Sequence, residues 1–417
     1  MHARLSTSSA LLATRRDLYR AALGTITVCD ALLDADAVGD DMLDNPLFRH
    51  AVEVAITTGQ PVEETVVARV NATRSGRAAV HAGPIDMPVV STSDADLRFA
   101  DVIDALHAGE LGFLTRSAPE AFNSACKLLQ EGLDLAVRIV PDLVLDLFPH
   151  VGLIAMLDGA RGNSPVHSGS LREFPGLLLV SRPQSAVDAA EMLLHESAHA
   201  RLYDMLICHH IMFAGNDGCG PFKPPWRARG TEWPLEQTLA ALHAYAILSE
   251  FADAGGQSVV EQAGSSSLLP HASVRRNMIG KWVLDRLRHF GPDATDLVSG
   301  LVGIEASTRP PPSAPALAVS GRATVVPNLT LRFDEKAPCA VATIPGRPPA
   351  LYVLGRDSGL VLDFLRREQP LIAAVSELET RRNLRRVDAE NALSIILDEL
   401  QNRSLITLDE RVIEPKQ

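Results

Sequence analysis

The chain has 417 residues, 46% hydrophobic and 22% charged, an ordinary globular composition with room for two or three domains. A formal charge of −12 argues against a general nucleic-acid or anionic-membrane binder, since either needs a basic surface. Five scattered cysteines without a CxxC pair argue against a disulfide framework and fit a reducing cytoplasm.

The opening residues, MHARLSTSSALLATRRDLYRAALG, lack a sustained apolar segment with a small-residue cleavage site, so no signal peptide is expected. No apolar run reaches the roughly 18–20 residues of a membrane span. Residues 1–145 read mostly as helix, because AVEVAITTG, SDADLRFADVIDALHAG and APEAFNSACKLLQEGLDLAVRIV carry apolar residues three and four apart. VGLIAML (151–157) and PGLLLVSRP (175–183) are short, apolar and bounded by Gly, Pro or Ser, which predicts strands, the second at a sheet edge.

Ser185 opens a long periodic segment, SAVDAAEMLLHESAHARLYDMLICHHIM, with Asp188 placed for an N-terminal capping arrangement. A turn-rich loop, GNDGCGPFKPPWRARGTEWP, leads to a second helical pattern, PLEQTLAALHAYAILSEFAD, and a further helix is predicted over 273–290. Residues 303–320 are rich in Pro, Ala and Ser and read as a linker. Beyond it come three strand-like runs, VVPNLTLRF, APCAVATIP and PALYVLG, then three helical runs and SLITLD, the order of a winged helix.

The expected fold class is α+β. A mostly helical metal-binding catalytic domain with a small sheet (1–302) divides into a helical layer (1–145) and a metal core (146–302). A winged-helix domain (321–417) follows the linker.

Within the predicted helix lies His195-Glu196-Ser197-Ala198-His199. Residues four apart on a helix differ by about 40° around the axis and about 6 Å along it, so the two imidazoles can share one ion. Glu196 lies about 100° round from His195, where its carboxylate can reach a metal-bound water as a general base. A third histidine six residues after the second is absent, because Met205 stands there. On the next helix Glu236, His243 and Glu250 recur every seven residues, and His243 is the preferred third ligand. Such a centre suits Zn²⁺ and peptide hydrolysis, with 175–183 receiving the substrate as an added strand. It equally suits Fe(II) with open positions for a 2-oxo acid and O₂.

LLHESAHARLYDML, the PPWRARG loop and LHAYAILSEFAD resemble, in order and spacing, a bacterial family named for its HExxH domain and found beside ribosomally made, modified peptides. Some of its members are Fe(II)- and 2-oxoglutarate-dependent peptide β-hydroxylases. The resemblance covers residues 140–290; Ser197-Ala198 departs from it, where larger residues are expected. It implies iron ligands at His195, His199 and His243, with Glu196 orienting a ligand or the co-substrate. The distal carboxylate of 2-oxoglutarate then needs a cationic clamp, assigned to Arg227, with Arg229 and Arg182 behind it.

Residues 323–408 are similar in element order to the peptide-binding winged-helix chaperone of pyrroloquinoline quinone biosynthesis. That likeness implies a leader peptide added beside PALYVLG, against VDAENALSIILDEL. A DNA reader would carry a basic face, whereas residues 321–417 hold 14 basic and 14 acidic groups, despite the cluster Arg381, Arg382, Arg385 and Arg386. The reading is a cytoplasmic enzyme that β-hydroxylates a ribosomally synthesised precursor peptide with Fe(II) and 2-oxoglutarate, its leader held by 321–417. The alternatives are a zinc metallopeptidase and a non-catalytic peptide- or DNA-binding regulator.

Overall fold

The structure, a computed structural model, describes residues 6–26, 38–58, 62, 70, 78–83, 85–90, 111–113, 119–160, 168–209, 211–212, 219–228, 230–291, 293–303, 323–333, 339–343, 351–382, 384–403 and 405–408. The described residues form an α+β protein, mostly helical with a mixed sheet. Helices α1 (Ser8–Ile26), α2 (Asp40–Leu43) and α3 (Pro46–Thr58) come first, α3 covering the predicted AVEVAITTG. Strands β1 (Ala78–Ala82), β2 (Ile85–Val90) and β3 (Leu111–Phe113) follow, so short strands accompany the helices of the N-terminal part. These strands are only three to six residues long and hold few inward anchors, Val80, Met87 and Val89, too few for a sequence period to stand out. The helix expected over SDADLRFADVIDALHAG lies outside the described residues.

Next come α4 (Pro119–Ile139), α5 (Pro141–Leu147), β4 (Leu153–Ala160), β5 (Ser168–Ser170) and β6 (Leu177–Ser181). The motif helix α6 (Ala186–Cys208), α7 (Leu235–Gln262), α8 (Ala272–Leu284) and α9 (Ala294–Val302) complete this part. The sheet runs β1-β2-β4-β6-β5, with β3 paired to the far end of β4. β2, β4 and β6 are parallel, while β1 and β5 run antiparallel to their neighbours.

The segment expected at a sheet edge, 175–183, is therefore internal, because β6 pairs β4 on one side and β5 on the other. Its continuous apolar run already carries the reason. Leu178 and Val180 enter the main core while Leu177 and Leu179 enter a second cluster with Phe174 on the opposite face, so both faces are covered. On this side the edge, among the described residues, is β5, which has no large apolar residue.

The predicted linker lies almost wholly outside the described residues. After it, β7 (Ala323–Val325), β8 (Thr330–Phe333), β9 (Cys339–Thr343) and β10 (Leu351–Gly355) precede α10 (Arg356–Arg366), α11 (Leu371–Arg382), α12 (Arg386–Asn402) and β11 (Ile406–Leu408). β8, β9 and β10 form an antiparallel meander, and β7 pairs β11. This part has its own core, including Leu354, Leu362, Val375 and Leu393.

Candidate metal centre

Helix α6 is buried on almost every side, which is why it has no single apolar stripe. Ser185 caps it by accepting from the Asp188 amide at 3.1 Å, and Asp188 accepts from the Gln184 amide at 2.8 Å. Along one flank α4 approaches so closely that a Cβ on Gly132 would lie 2.5 Å from that of Ala189. On another, α7 packs against it and bonds to its backbone, His243 Nδ1 to the Ala198 carbonyl at 2.8 Å.

A charged clamp fixes the C-terminal half of the helix. Asp204, fully buried, accepts from Arg49 at 2.5 Å, from His150 Nδ1 at 2.6 Å and from Arg15. Ser8 Oγ meets the other nitrogen of His150 at 2.9 Å. Serine, histidine and aspartate thus lie in relay, but the Asp204 charge is committed to two buried guanidinium groups. The assembly ties α1 and α3 to α6.

On α6, His195, Glu196 and His199 offer one ligand atom each, all within 4.8 Å of one another. The imidazole rings stand edge to face, centroids 4.8 Å apart. Glu196 Oε1 accepts from His195 Nδ1 at 2.8 Å and from Ser168 Oγ of β5 at 2.7 Å. Burial opposes ionisation of Glu196. The charge and hydrogen bond of His195, with His199 and Ser168, outweigh it and hold the carboxyl at about 2. Burial likewise disfavours protonated His195, yet the charges of Glu196 and Glu191 leave its pKa raised. Burial and the neighbouring His195 push His199 down to about 4, so at neutral pH it offers a lone pair.

These residues fit a divalent ion. Two imidazoles and a carboxylate are a donor set for zinc or iron, and ligands on one tetrahedral ion sit about 3.3 Å apart, reachable by small side-chain movements. His199 Nδ1 is buried with no hydrogen-bond partner among the described residues, a state that coordination relieves.

Of the other predicted residues, His243 is completely buried on α7 and its Nδ1 donates to the Ala198 carbonyl at 2.8 Å. That bond fixes its tautomer as outer hydrogen bonds do for metal-bound histidines, but His243 is not part of the group above. Glu236 accepts from Arg172 at 2.7 Å and Glu250 also lies outside the group. Arg182 is exposed, and Arg229 lies outside the described residues. Arg227 is exposed and lines, with His195, a cavity of about 370 Å³.

Three residues of this neighbourhood carry no sequence signal of their own. Ser168 sits in a strand without apolar pattern. Tyr203 stacks on His199 with centroids 6.4 Å apart, and burial pushes its phenol up to about 12. Arg275, on α8, lines the same cavity. Neither a known protein family nor a curated protein matches the chain.

Proposed function

We propose that the chain modifies a ribosomally synthesised precursor peptide by Fe(II)- and 2-oxoglutarate-dependent β-hydroxylation of a side chain. The observation that carries this reading is the cavity beside His195, whose wall holds two arginines, Arg227 and Arg275, and two acids that already have donors. Glu191 accepts from the Leu268 amide at 2.7 Å and from Ser267, and Asp188 serves the cap of α6. Both arginines thus stand next to a candidate metal centre with no ion pair to these acids, available to an anionic co-substrate.

His195 and His199 would hold the ion, with His243 as third imidazole. Iron held there would supply O₂ activation for the net reaction in which a peptide C–H becomes C–OH and 2-oxoglutarate becomes succinate and CO₂. Glu196, fixed by Ser168, orients His195. β5, at a sheet edge beside α6, would align an extended peptide. Residues 321–417, whose described part has four short strands, three helices and a last strand, would grip the leader beside β10 and raise the local concentration of the segment to be modified. Among the described residues no helix is long and apolar enough to cross a membrane.

Incubation of the protein with Fe(II), ascorbate, 2-oxoglutarate and candidate precursor peptides tests the reading. Mass spectrometry should show the gain of one oxygen, dependent on 2-oxoglutarate and lost in His199→Ala. A zinc peptidase is the second reading, favoured by the ionised Glu196 beside the imidazole pair. Cleavage of the peptide without 2-oxoglutarate would establish it instead.

A further inference from the structure

The cavity beside His195 is built around one guanidinium. Arg275 lies over the Trp226 ring at 5.1 Å and the Tyr245 ring at 5.5 Å, and it donates to the Tyr245 hydroxyl at 2.9 Å. Those rings are themselves fixed. Trp226 stands edge-on to Tyr245, centroids 6.3 Å apart, and packs on Trp233 and Phe222. Phe222 and Trp233 exchange two backbone hydrogen bonds of 2.8 Å, which close the Pro- and Gly-rich loop into a clasp.

The aromatic clasp thus holds Arg275 in one orientation, whereas Arg227 is an exposed residue on a turn. Neither arginine has a carboxylate partner among the described residues. The acids of the same wall, Asp188 and Glu191, accept their hydrogen bonds from backbone amides and Ser267 and not from the arginines. Trp226 itself lines the wall, and its Nε1 is buried with no hydrogen-bond partner among the described residues.

We propose that Arg275, rather than Arg227, is the fixed anchor for the carboxylate of a small dicarboxylic acid bound in this cavity. The inference rests on the hydroxylase reading for the identity of that acid, and names the residue that selects it. A guanidinium already oriented by rings and a phenol loses little freedom on binding, so most of its interaction appears as affinity. Arg227, close enough for its charge to oppose protonation of His195, adds attraction but no fixed geometry. A cavity of about 370 Å³ admits a five-carbon diacid with room to spare.

Titration calorimetry on the full-length protein loaded with Fe(II) under anaerobic conditions provides the test, with 2-oxoglutarate, succinate and a short peptide with a free C-terminal carboxylate as probes. Arg275→Gln should weaken both dicarboxylates about tenfold or more, as loss of a charge-assisted hydrogen bond does. Arg227→Gln should weaken them by less. Tyr245→Phe keeps the ring but frees the guanidinium, so it should weaken binding severalfold with the melting temperature held. Unchanged dicarboxylate binding in Arg275→Gln, a larger loss in Arg227→Gln, no dicarboxylate binding to the folded parent, or Arg275-dependent binding of the peptide alone would each overturn the inference. Arg275-dependent dicarboxylate binding without 2-oxoglutarate-dependent oxygen insertion would remove the hydroxylase reading and leave the anchor standing.

Discussion

Removal of the Asp204 carboxylate should destabilise the protein more than any change at the metal ligands. Arg15 and Arg49 are 1% and 0% exposed, and both direct a guanidinium nitrogen at Asp204. Asp204→Ala strands those charges, leaving Arg15 with Asp44 among the described residues. Breaking a buried pair by deleting one partner costs about 3–5 kcal/mol. At roughly 2–4 °C per kcal/mol for a large domain, the melting temperature should fall by about 6–20 °C. Burial opposes the Asp204 carboxylate, yet Arg15 and Arg49, with His150, hold its pKa well below the usual range. The folded value is below the unfolded one, so this contribution is full above about pH 4 and is lost as pH falls further. Burial also lowers the pKa of His150, and its contribution is full above about pH 6.5 and declines below. Melting temperatures of the parent should therefore drop in two stages on acidification, and Asp204→Asn should shrink the lower one to the part that Glu196 supplies. A melting temperature for Asp204→Ala within about 2 °C of the parent, less than 1 kcal/mol, would refute the clamp.

Other changes test separate parts of the argument. Gly132→Ala gains helix propensity but drives a methyl into Ala189, so denaturant unfolding should show a net loss of about 1–2 kcal/mol. Ser185→Ala removes the cap acceptor of α6 and should cost about 1 kcal/mol by the same assay. Glu196→Gln should keep the bound metal, measured by elemental analysis. A hydrolase would then lose about 10²–10⁴ in turnover, whereas a hydroxylase, needing no base there, would lose less. Deletion of residues 321–417 should raise KM for the full precursor while kcat at saturation changes little.

The helix that carries the metal ligands was legible because three local signals agree: a serine cap, an acid three residues on, and a long run without Gly or Pro. β4 and β6 were legible as short apolar runs between breakers, but the position of β6 was not. That depends on a strand, Ser168–Ser170, whose composition predicts nothing and which exists because β6 offers it a partner. The buried Arg15 and Arg49 were equally hidden. Arginine is ordinarily a surface residue, and only the fold reveals that Asp204 waits between them.

At the candidate centre, spacing on one helix gave what one helix can give: His195, Glu196 and His199 converge because their geometry is local. The third imidazole depends on the placement of α7 against α6, which no periodicity encodes, and there His243 bonds to the Ala198 carbonyl. The arginine question turns on the same distinction. Arg227 was prominent because it follows Trp226 in the chain, whereas Arg275 meets that indole 49 positions later only through the packing of α8 on α7. Sequence proximity selected the exposed cation, and tertiary packing supplies the oriented one. For a carboxylate the second counts for more, because a guanidinium that must first be immobilised gives up part of its binding energy in lost rotamer freedom.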